Sequence, residues 1–191
     1  MNHEARIVKS QLILLGLVLL LNSSCNKGVN DNENNNIAIG KTYAGGIIFL
    51  VDSTKKHGMV CAPTDQDTAI PWSIAGSLAS GAMGSDIGMG KINTDIIVAM
   101  QGTGHYAARI CYDLTLNGYS DWFLPSSNEC FNMYFNLKSM RRIGGFADTL
   151  YWSSTESAAS KAFSQWGHDG YLPEGGYYKT STYHVRAVRA F

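Results

Sequence analysis

The stretch Gly118-Tyr119-Ser120-Asp121-Trp122-Phe123-Leu124-Pro125-Ser126 decides how the second half of the chain folds. Its last residue, Ser126, is followed three positions later by Glu129, and this capping-box spacing predicts a helix that begins at Ser126 and reaches Gly144. The centre of the stretch holds three consecutive large apolar side chains, which we expect in the core of a small domain. We expect Asp121 to hydrogen-bond backbone amides in its own turn.

Two more helices are predicted on the N-terminal side of this stretch. A four-residue apolar spacing over 106–114 predicts an amphipathic helix that ends at 117–118. Asn93 or Thr94 is expected to cap an earlier helix that runs through Met100.

Short strands are predicted on both sides of the helices. Residues 46–52 and 58–62 are joined by a polar turn and are expected to pair as a hairpin. Residues 71–90 are rich in glycine and alanine and show no period, so we predict a loop with a short strand near 71–73. Four more strands, aromatic or β-branched, are predicted at 151–154, 162–167, 176–179 and 183–190.

This order of elements predicts an α+β fold, because the helices are segregated from the strands rather than alternating with them. We expect short antiparallel strands with two to three helices, and no parallel doubly wound sheet. Residues 39–191 have the size of one domain, and the chain has an ordinary globular composition, with 45% hydrophobic and 11% aromatic residues.

Four stretches, in this order, resemble a known family. They are GGIIF at 45–49, GYSDWFLPS at 118–126, YWSST at 151–155 and VRAVR at 185–189. Over residues 40–191 the chain resembles the Fibrobacter major paralogous domain, which is similar to the C-terminal domain of the Legionella collagen-like adhesin. The resemblance implies a single C-type-lectin-like domain on a secreted or surface-anchored bacterial protein. It is loose over 74–90 and 156–182, where we expect function to vary.

The matching stretches are best explained as architecture. Their structural residues are predicted to be Asp121, Trp122, Pro125, Trp152, Arg186 and Arg189. Because residues three apart in a strand point to opposite faces, at most one of the two arginines is expected to be buried with a carboxylate partner.

The N-terminus has the pattern of a cleaved secretion leader that ends at a lipid-attachment cysteine. Basic residues precede the aliphatic residues 12–21, a run about half of the ~20 residues that a membrane-spanning helix needs, and two serines precede Cys25. We expect residues 1–24 to be removed and Cys25 to carry lipid that anchors the protein in a membrane. The alternative is an uncleaved anchor or a soluble leader with an incidental cysteine, because Asn22 stands where bacterial lipoboxes usually carry Leu.

Residues 25–38 are predicted to form a flexible tether between this lipid and the domain at 39–191. They are rich in asparagine and contain no aromatic residue, so they cannot bury enough apolar surface to fold. A longer N-terminal arm packed on the domain is the alternative. The expected location is the bacterial cell envelope, at the outer membrane.

Charge and cysteine content exclude two classes of function. Removing the leader takes away Glu4, Arg6 and Lys9, which leaves 13 basic and 14 acidic residues. Nucleic-acid binding needs clustered positive charge, so we expect no such partner. With Cys25 acylated, at most one disulfide can form among the remaining cysteines, which match no zinc or redox spacing and are expected to be buried thiols. They are Cys61, Cys111 and Cys130.

No catalytic or cofactor-binding pattern is supported. The triplet 40–42 (GKT) lacks the glycine and the strand that a phosphate-binding loop requires, and no nucleophile elbow occurs. No two histidines have the i, i+4 spacing that places two zinc ligands on one helical face. We therefore expect no enzyme activity, no metal site and no cofactor.

The segment 166–179 is the predicted binding site, because it places four aromatic residues among turn residues. Aromatic faces stack on sugar rings, and polar side chains on loops hydrogen-bond sugar hydroxyls. The candidate ligand-binding residues are Trp166, His168, Asp169, Tyr171, Glu174, Tyr177, Tyr178 and Lys179. An ordinary hairpin whose aromatic residues cover the sheet is the alternative. The triplets Glu-Pro-Asn and Gln-Pro-Asp, typical of calcium-dependent lectins of this fold, do not occur.

Together these patterns predict a lipid-anchored envelope protein with a non-enzymatic, adhesin-like binding domain. The expected partners are the membrane, through the N-terminal lipid, and a glycan or an envelope protein. A structural or assembly component of an envelope complex, without a small-molecule ligand, is the competing hypothesis.

Overall fold

A computed structural model describes residues 37–166 and 175–191, with only the backbone of Trp166 included. The strands in chain order are β1 (Thr42–Tyr43), β2 (Gly46–Val51), β3 (Gly58–Cys61), β4 (Asp67–Pro71), β5 (Leu150–Ala158), β6 (Lys161–Trp166), β7 (Tyr177–Tyr178), β8 (Thr182–Val185) and β9 (Val188–Ala190). The helices are α1 (Met89–Gln101), α2 (Ala107–Tyr112) and α3 (Ser127–Met133), and α3 continues as a π-helix over Tyr134–Ser139.

The strands form two sheets, and the predicted α+β class is confirmed. The first sheet has the order β1-β2-β3-β9 and is antiparallel throughout. The second has the order β4-β8-β5-β6-β7. Here the prediction of antiparallel strands alone was wrong, because β5 and β8 run parallel where Tyr151 pairs with His184.

The predicted N-terminal hairpin is confirmed as β2 and β3. Its turn is held by Asp52, whose carboxylate accepts hydrogen bonds from the Thr54 hydroxyl at 2.8 Å and the Lys56 amide at 3.2 Å. The C-terminus completes this sheet, since Gly58 and Phe191 exchange two backbone hydrogen bonds of 3.1 and 3.0 Å. The two ends of the domain therefore meet in one sheet.

Three predicted strands differ from the observed strands by more than one residue at an end. The strand expected near 71–73 lies earlier, at β4, and β5 extends four residues beyond the predicted end at Ser154. The single strand expected over 183–190 is two strands, β8 and β9, which belong to different sheets. Residues 186–187 connect β8 in the second sheet to β9 in the first. The alternation of apolar residues continues through this connection, although the two strands form hydrogen bonds in different sheets.

Helix α1 begins earlier than predicted. Its N-cap is Gly88, with a φ of 93° and no side-chain cap, so Asn93 and Thr94 are buried inside the helix. These two side chains bond loop backbone instead of the helix terminus: Asn93 accepts from the Gly84 amide at 3.2 Å, and Thr94 accepts from the Leu124 amide at 3.0 Å. Helix α1 therefore fixes both loops.

Helix α3 begins where predicted, and its capping box is confirmed. The Ser126 hydroxyl accepts from the Glu129 amide at 3.3 Å, and the Glu129 carboxylate accepts from the Ser126 amide at 2.8 Å. Helix α2 is shorter than expected and ends at Tyr112, with Asp113 as its C-cap. Asn117 and Gly118 both have positive φ, 53° and 83°, in the turn that follows.

The largest side chains in the larger of the two core clusters are three tryptophans: Trp72, Trp122 and Trp152. All are essentially buried, and the indole N–H of Trp72 donates to the Ser153 carbonyl at 2.8 Å. Leu124 joins this cluster, whereas Phe123 belongs to a second one. Trp122 and Trp152 are therefore core residues, as the sequence predicted.

Candidate ligand-binding groove

Most of the segment predicted to bind a ligand lies outside the described residues. The predicted contacts that fall there are His168, Asp169, Tyr171 and Glu174. Trp166 is the last residue of β6, and only its backbone is described.

The tyrosines at the end of this segment differ in exposure. Tyr178 is exposed, and the Lys161 ammonium lies 5.2 Å from the centre of its ring. Tyr177 is half-buried and packs edge-on against Tyr183, with ring centroids 5.3 Å apart. Of this pair, Tyr178 therefore offers the more open aromatic face.

Lys179 is a buried residue and not a ligand contact, which corrects its prediction. Its ammonium donates to the Glu156 carboxylate at 2.8 Å and to the carbonyls of Leu78 and Ala159 at 2.6 and 3.0 Å. Burial lowers the pKa of Lys179, while hydrogen bonds from Lys179 and Ser80 outweigh burial and lower the pKa of Glu156. This ion pair fixes the loop before α1 to the second sheet.

Arg186 and Arg189 are both buried, and each pairs with a carboxylate. The prediction that at most one of them is buried in this way was wrong. Arg186 lies between β8 and β9, not in one strand with Arg189, and the opposite-face argument does not apply. Its Nε donates to Asp65 at 2.6 Å. The same carboxylate accepts from the Tyr151 hydroxyl at 2.9 Å and lies 2.8 Å from His184 Nδ1.

We expected Asp121 to hydrogen-bond backbone amides in its own turn. Its main partner is instead Arg189. The hydrogen bonds from Arg189 hold the pKa of the Asp121 carboxyl below its usual range. Arg189 also donates to the Ala44 carbonyl at 2.8 Å, and its guanidinium lies 3.9 Å from the centre of the Tyr119 ring. Asp121 itself remains more than half exposed.

A groove of about 560 Å³ opens beside Asp121. It lies between the end of the β2–β3 hairpin, β9 and the N-terminus of α1. Its apolar or glycine lining residues are Leu50, Val51, Gly58, Met59, Ile87, Gly88, Phe123 and Ala190. Its ionisable lining residues are Asp52, His57, Lys91 and Asp121. The volume falls within the range of about 300–1,000 Å³ that is usual for ligand sites.

The charges of this groove leave one carboxylate without a cationic side chain bonded to it. Lys91 pairs with Asp95 at 2.6 Å and Asp121 with Arg189 at 2.7 Å. Asp52 makes no ion pair within the described ranges, and the hydrogen bond from the Thr54 hydroxyl lowers its pKa. The groove therefore combines an apolar lining with an ionised carboxylate at its edge.

Glu129 positions the α1 wall of this groove. Its Oε1 accepts from the Gly88 amide at 2.7 Å, while Oε2 accepts from the Ser126 amide at 2.8 Å. One carboxylate thus caps two helix N-termini, where unsatisfied amides and the helix dipole favour a negative charge. Gly90 makes this approach feasible, because a Cβ there would lie 2.2 Å from the carboxylate.

A second, more polar cleft of about 450 Å³ is lined by Arg189, the arginine of the Asp121–Arg189 pair. Tyr43, Tyr119 and Phe191 also line it, with the rings of Tyr43 and Phe191 edge-to-face at 5.0 Å. Aromatic rings beside a polar group are suited to a sugar, which presents both an apolar face and hydroxyls.

The described part of the chain contains no cluster of His, Cys, Asp or Glu arranged to hold a metal ion. No helix within 37–166 or 175–191 has the length and apolarity needed to cross a membrane. Cys61, Cys111 and Cys130 are buried and free, as predicted, and burial raises the pKa of Cys61 and Cys130 to about 12.

The groove was not predicted from the sequence, because its lining comes from four separated segments. One residue in the glycine-rich loop could have indicated it: Ile87 is large and apolar, but it belongs to no helical or strand pattern of apolar residues. The structure leaves its side chain half exposed at the groove. Asp52 gave no signal beyond that of an ordinary turn residue.

No protein-family model and no curated protein matches this sequence. Among solved structures, the chain is similar to a fimbrial protein from Bacteroides ovatus, with a TM-score of 0.48 and 17% sequence identity. The similarity covers 69% of this chain and 35% of the fimbrial protein, so the chain spans about a third of that protein's length.

Proposed function

We propose that this protein is a lipid-anchored component of the bacterial envelope whose domain is a non-enzymatic, adhesin-like binding module. In this proposal Cys25 carries the lipid, and the domain is C-type-lectin-like and related to the Fibrobacter major paralogous domain. The leader pattern supports the anchor, and the α+β architecture is compatible with the family. The observation that carries the binding role is the apolar groove beside Asp121.

The chemistry of the groove favours a segment of an envelope protein over a glycan. Burying one Leu-sized side chain in an apolar groove contributes about 1.5–3 kcal/mol. Sugar hydroxyls placed there would lose hydrogen bonds to water, at about 1–3 kcal/mol each. The Asp52 carboxylate attracts a cation at the groove edge. The ligand is therefore a peptide segment with a large apolar residue next to Lys or Arg.

Selection of displayed peptides on the full chain, purified in detergent, tests this proposal. The matched variants are Ile87→Asp, in the groove, and Ile92→Asp, on α1 outside the groove lining; the two isoleucines are 49% and 50% exposed. Selected peptides are expected to pair a large apolar residue with a basic one. Ile87→Asp should weaken their binding at least about tenfold, and Ile92→Asp should not.

The proposal fails if no peptide is enriched, or if enriched peptides bind Ile87→Asp as tightly as the unchanged chain. Circular dichroism of both variants separates a lost site from a lost fold.

Glycan recognition is the second candidate function, favoured by the aromatic cleft beside Arg189 and by the exposed Tyr178. A glycan array probed with and without a calcium chelator tests it. Saturable binding that Tyr43→Ala removes would locate a sugar in the cleft, and binding that the double change Trp166→Ala, Tyr171→Ala removes would locate it in the segment 166–179. An array without hits in either condition eliminates the glycan. If the peptide selection is also negative, the structural or assembly role is favoured.

A further inference from the structure

We infer that the exposed face of α3 and its π-helical continuation contacts an anionic phospholipid membrane. We call this surface the α3 ridge, and it consists of Phe131 and Phe135 on the helix and of Met140, Arg141 and Arg142 directly after it. The inference rests on the lipid anchor of the proposed function and is independent of what the groove binds.

The apolar part of the ridge consists of three exposed large side chains that lie close together in sequence. Phe131, Phe135 and Met140 are 39%, 44% and 62% exposed. The two phenylalanines lie four residues apart on one helical face, and their rings are stacked with centroids 5.9 Å apart. Tyr134 and Leu137, on the side of the helix that packs on the domain, are buried. The helix is therefore apolar on both faces, and only one of them has a partner within the domain.

The ridge continues into a cationic end. Arg141 and Arg142 are exposed, and neither pairs with a carboxylate in the described ranges. Arg141 donates only to the Asn136 carbonyl, at 2.9 Å, among the bonds described. The nearby Lys138 is paired with Asp148, so the charges of these two side chains cancel. The net charge of this end is positive, and basic residues at a membrane surface are attracted to anionic lipids.

A polar cleft of about 580 Å³ adjoins this end, and its charged lining residues are Arg142 and the paired Lys138 and Asp148. Arg142 gives the cleft one net positive charge, which together with its volume suits the phosphate of a lipid headgroup. Aromatic side chains next to such a site enter the boundary between headgroups and acyl chains, which is how interfacial helices bind. The stacked phenylalanines and the positive charge of Arg142 are both suited to the surface of an anionic membrane.

The predicted anchor keeps this partner within reach. The residues from Cys25 to Ala38, even when fully extended, span no more than about 50 Å. Because the lipid anchor keeps the domain near the membrane, the effective concentration of the membrane at the α3 ridge is high, and a modest affinity is enough for the two to bind. A second, weaker contact of this kind would set the orientation of the domain on the membrane.

The test uses the full chain held by its own lipid in vesicles of phosphatidylethanolamine and phosphatidylglycerol. A nitroxide is attached at Ser139→Cys, on the ridge side of the cleft, or at Ser77→Cys, an exposed position between β4 and α1. The three native thiols of the domain are buried and do not compete for the label. Collisions with oxygen and with a water-soluble nickel chelate then report the depth of each label.

The label at Ser139 is expected at the membrane interface and the label at Ser77 in water. The double change Arg141→Glu, Arg142→Glu, or high salt, should move the Ser139 label into water. The matched change Lys55→Glu, Lys56→Glu, at the other exposed cation pair, should leave the label in place. Vesicles of phosphatidylcholine alone should bind the ridge less.

Two outcomes overturn the inference in distinguishable ways. If the chain floats with the vesicles while the Ser139 label stays in water, the ridge contact is wrong and the anchor stands. If the chain does not float, the lipid anchor of the proposed function is wrong as well. Circular dichroism of the glutamate variants distinguishes a lost membrane contact from a lost fold.

Discussion

Arg189 binds Asp121 through two parallel hydrogen bonds, from Nε to Oδ1 at 2.7 Å and from Nη2 to Oδ2 at 2.9 Å. The two residues are 68 positions apart in sequence. Their pairing joins the segment before α3 to strand β9. Asp121 lines the groove and Arg189 lines the aromatic cleft, so one ion pair sets the geometry of both candidate sites.

Replacing Arg189 by Lys should destabilise the domain although the charge is kept. A lysine cannot form two parallel bonds to Asp121 and also reach the Ala44 carbonyl. We expect a loss of about 1–2 kcal/mol in the free energy of urea-induced unfolding. Arg109→Lys, in the surface pair with Asp113, is the matched control and should cost about 0.5 kcal/mol or less. Equal costs would contradict the structural role of the Arg189 pair.

Replacing Glu129 by Gln should change how stability depends on pH. Burial raises the pKa of Glu129 above its ordinary value of 4.5, so the folded state favours the protonated carboxyl. The stability that this group contributes is complete below pH 4.5 and is lost as the pH rises through the higher folded-state pKa. The unfolding free energy of the unchanged chain minus that of Glu129→Gln should therefore fall as the pH is raised.

This difference is measured by urea unfolding at a series of pH values. Asp95→Asn, at an exposed carboxylate, is the control. A difference for Glu129→Gln that is constant, or that grows with pH, would show that burial does not govern this carboxyl. The hydrogen bonds from the amides of Gly88 and Ser126 favour the charged carboxylate and oppose the effect of burial on this pKa, and burial is the larger effect.

Removing the cation of the buried Lys179–Glu156 pair should be among the most damaging single changes. Lys179→Met leaves a buried carboxylate with only Ser80 as a side-chain donor. We expect a loss of about 3–5 kcal/mol, and the double change with Glu156→Gln should recover part of it. Lys91→Met, at an exposed pair, should cost about 1 kcal/mol or less. Additive losses in the double variant would mean that the two groups do not interact.

The three thiols of the domain should be unreactive in the folded protein. Burial raises the pKa of Cys61 and Cys130 to about 12, and it raises that of Cys111 as well, so almost no thiolate is present at neutral pH. Mass spectrometry after treatment with iodoacetamide should find them unmodified in buffer and modified in urea. Rapid modification of any of them in buffer would contradict the described packing.

Local features of the fold could be predicted from the sequence because their signals are local. The hairpin of β2 and β3 follows from two apolar runs around a polar turn. The start of α3 follows from the spacing of Ser126 and Glu129. The start of α1 could not be predicted, because Gly88 caps that helix without a side chain and its amide bonds Glu129, which is 41 positions away.

The candidate sites depended on distant pairings and were therefore harder to predict. The roles of Arg186 and Arg189 rest on carboxylates far along the chain and on a change of sheet that the apolar alternation conceals. Lys179 was predicted to be an exposed polar residue of a hairpin. Its buried partner is Glu156, and nothing in the sequence indicates that the Glu156 side chain faces the interior. The groove itself forms only after these pairings are made.

Hydrogen–deuterium exchange of the full chain, with and without a peptide selected on it, tests the central claim most directly. The account predicts slower amide exchange over 50–59 and 87–91 on binding, and no such change when the Ile87→Asp variant meets the same peptide. Protection confined to 175–179, or no protection anywhere, would contradict the assignment of the groove as the binding site.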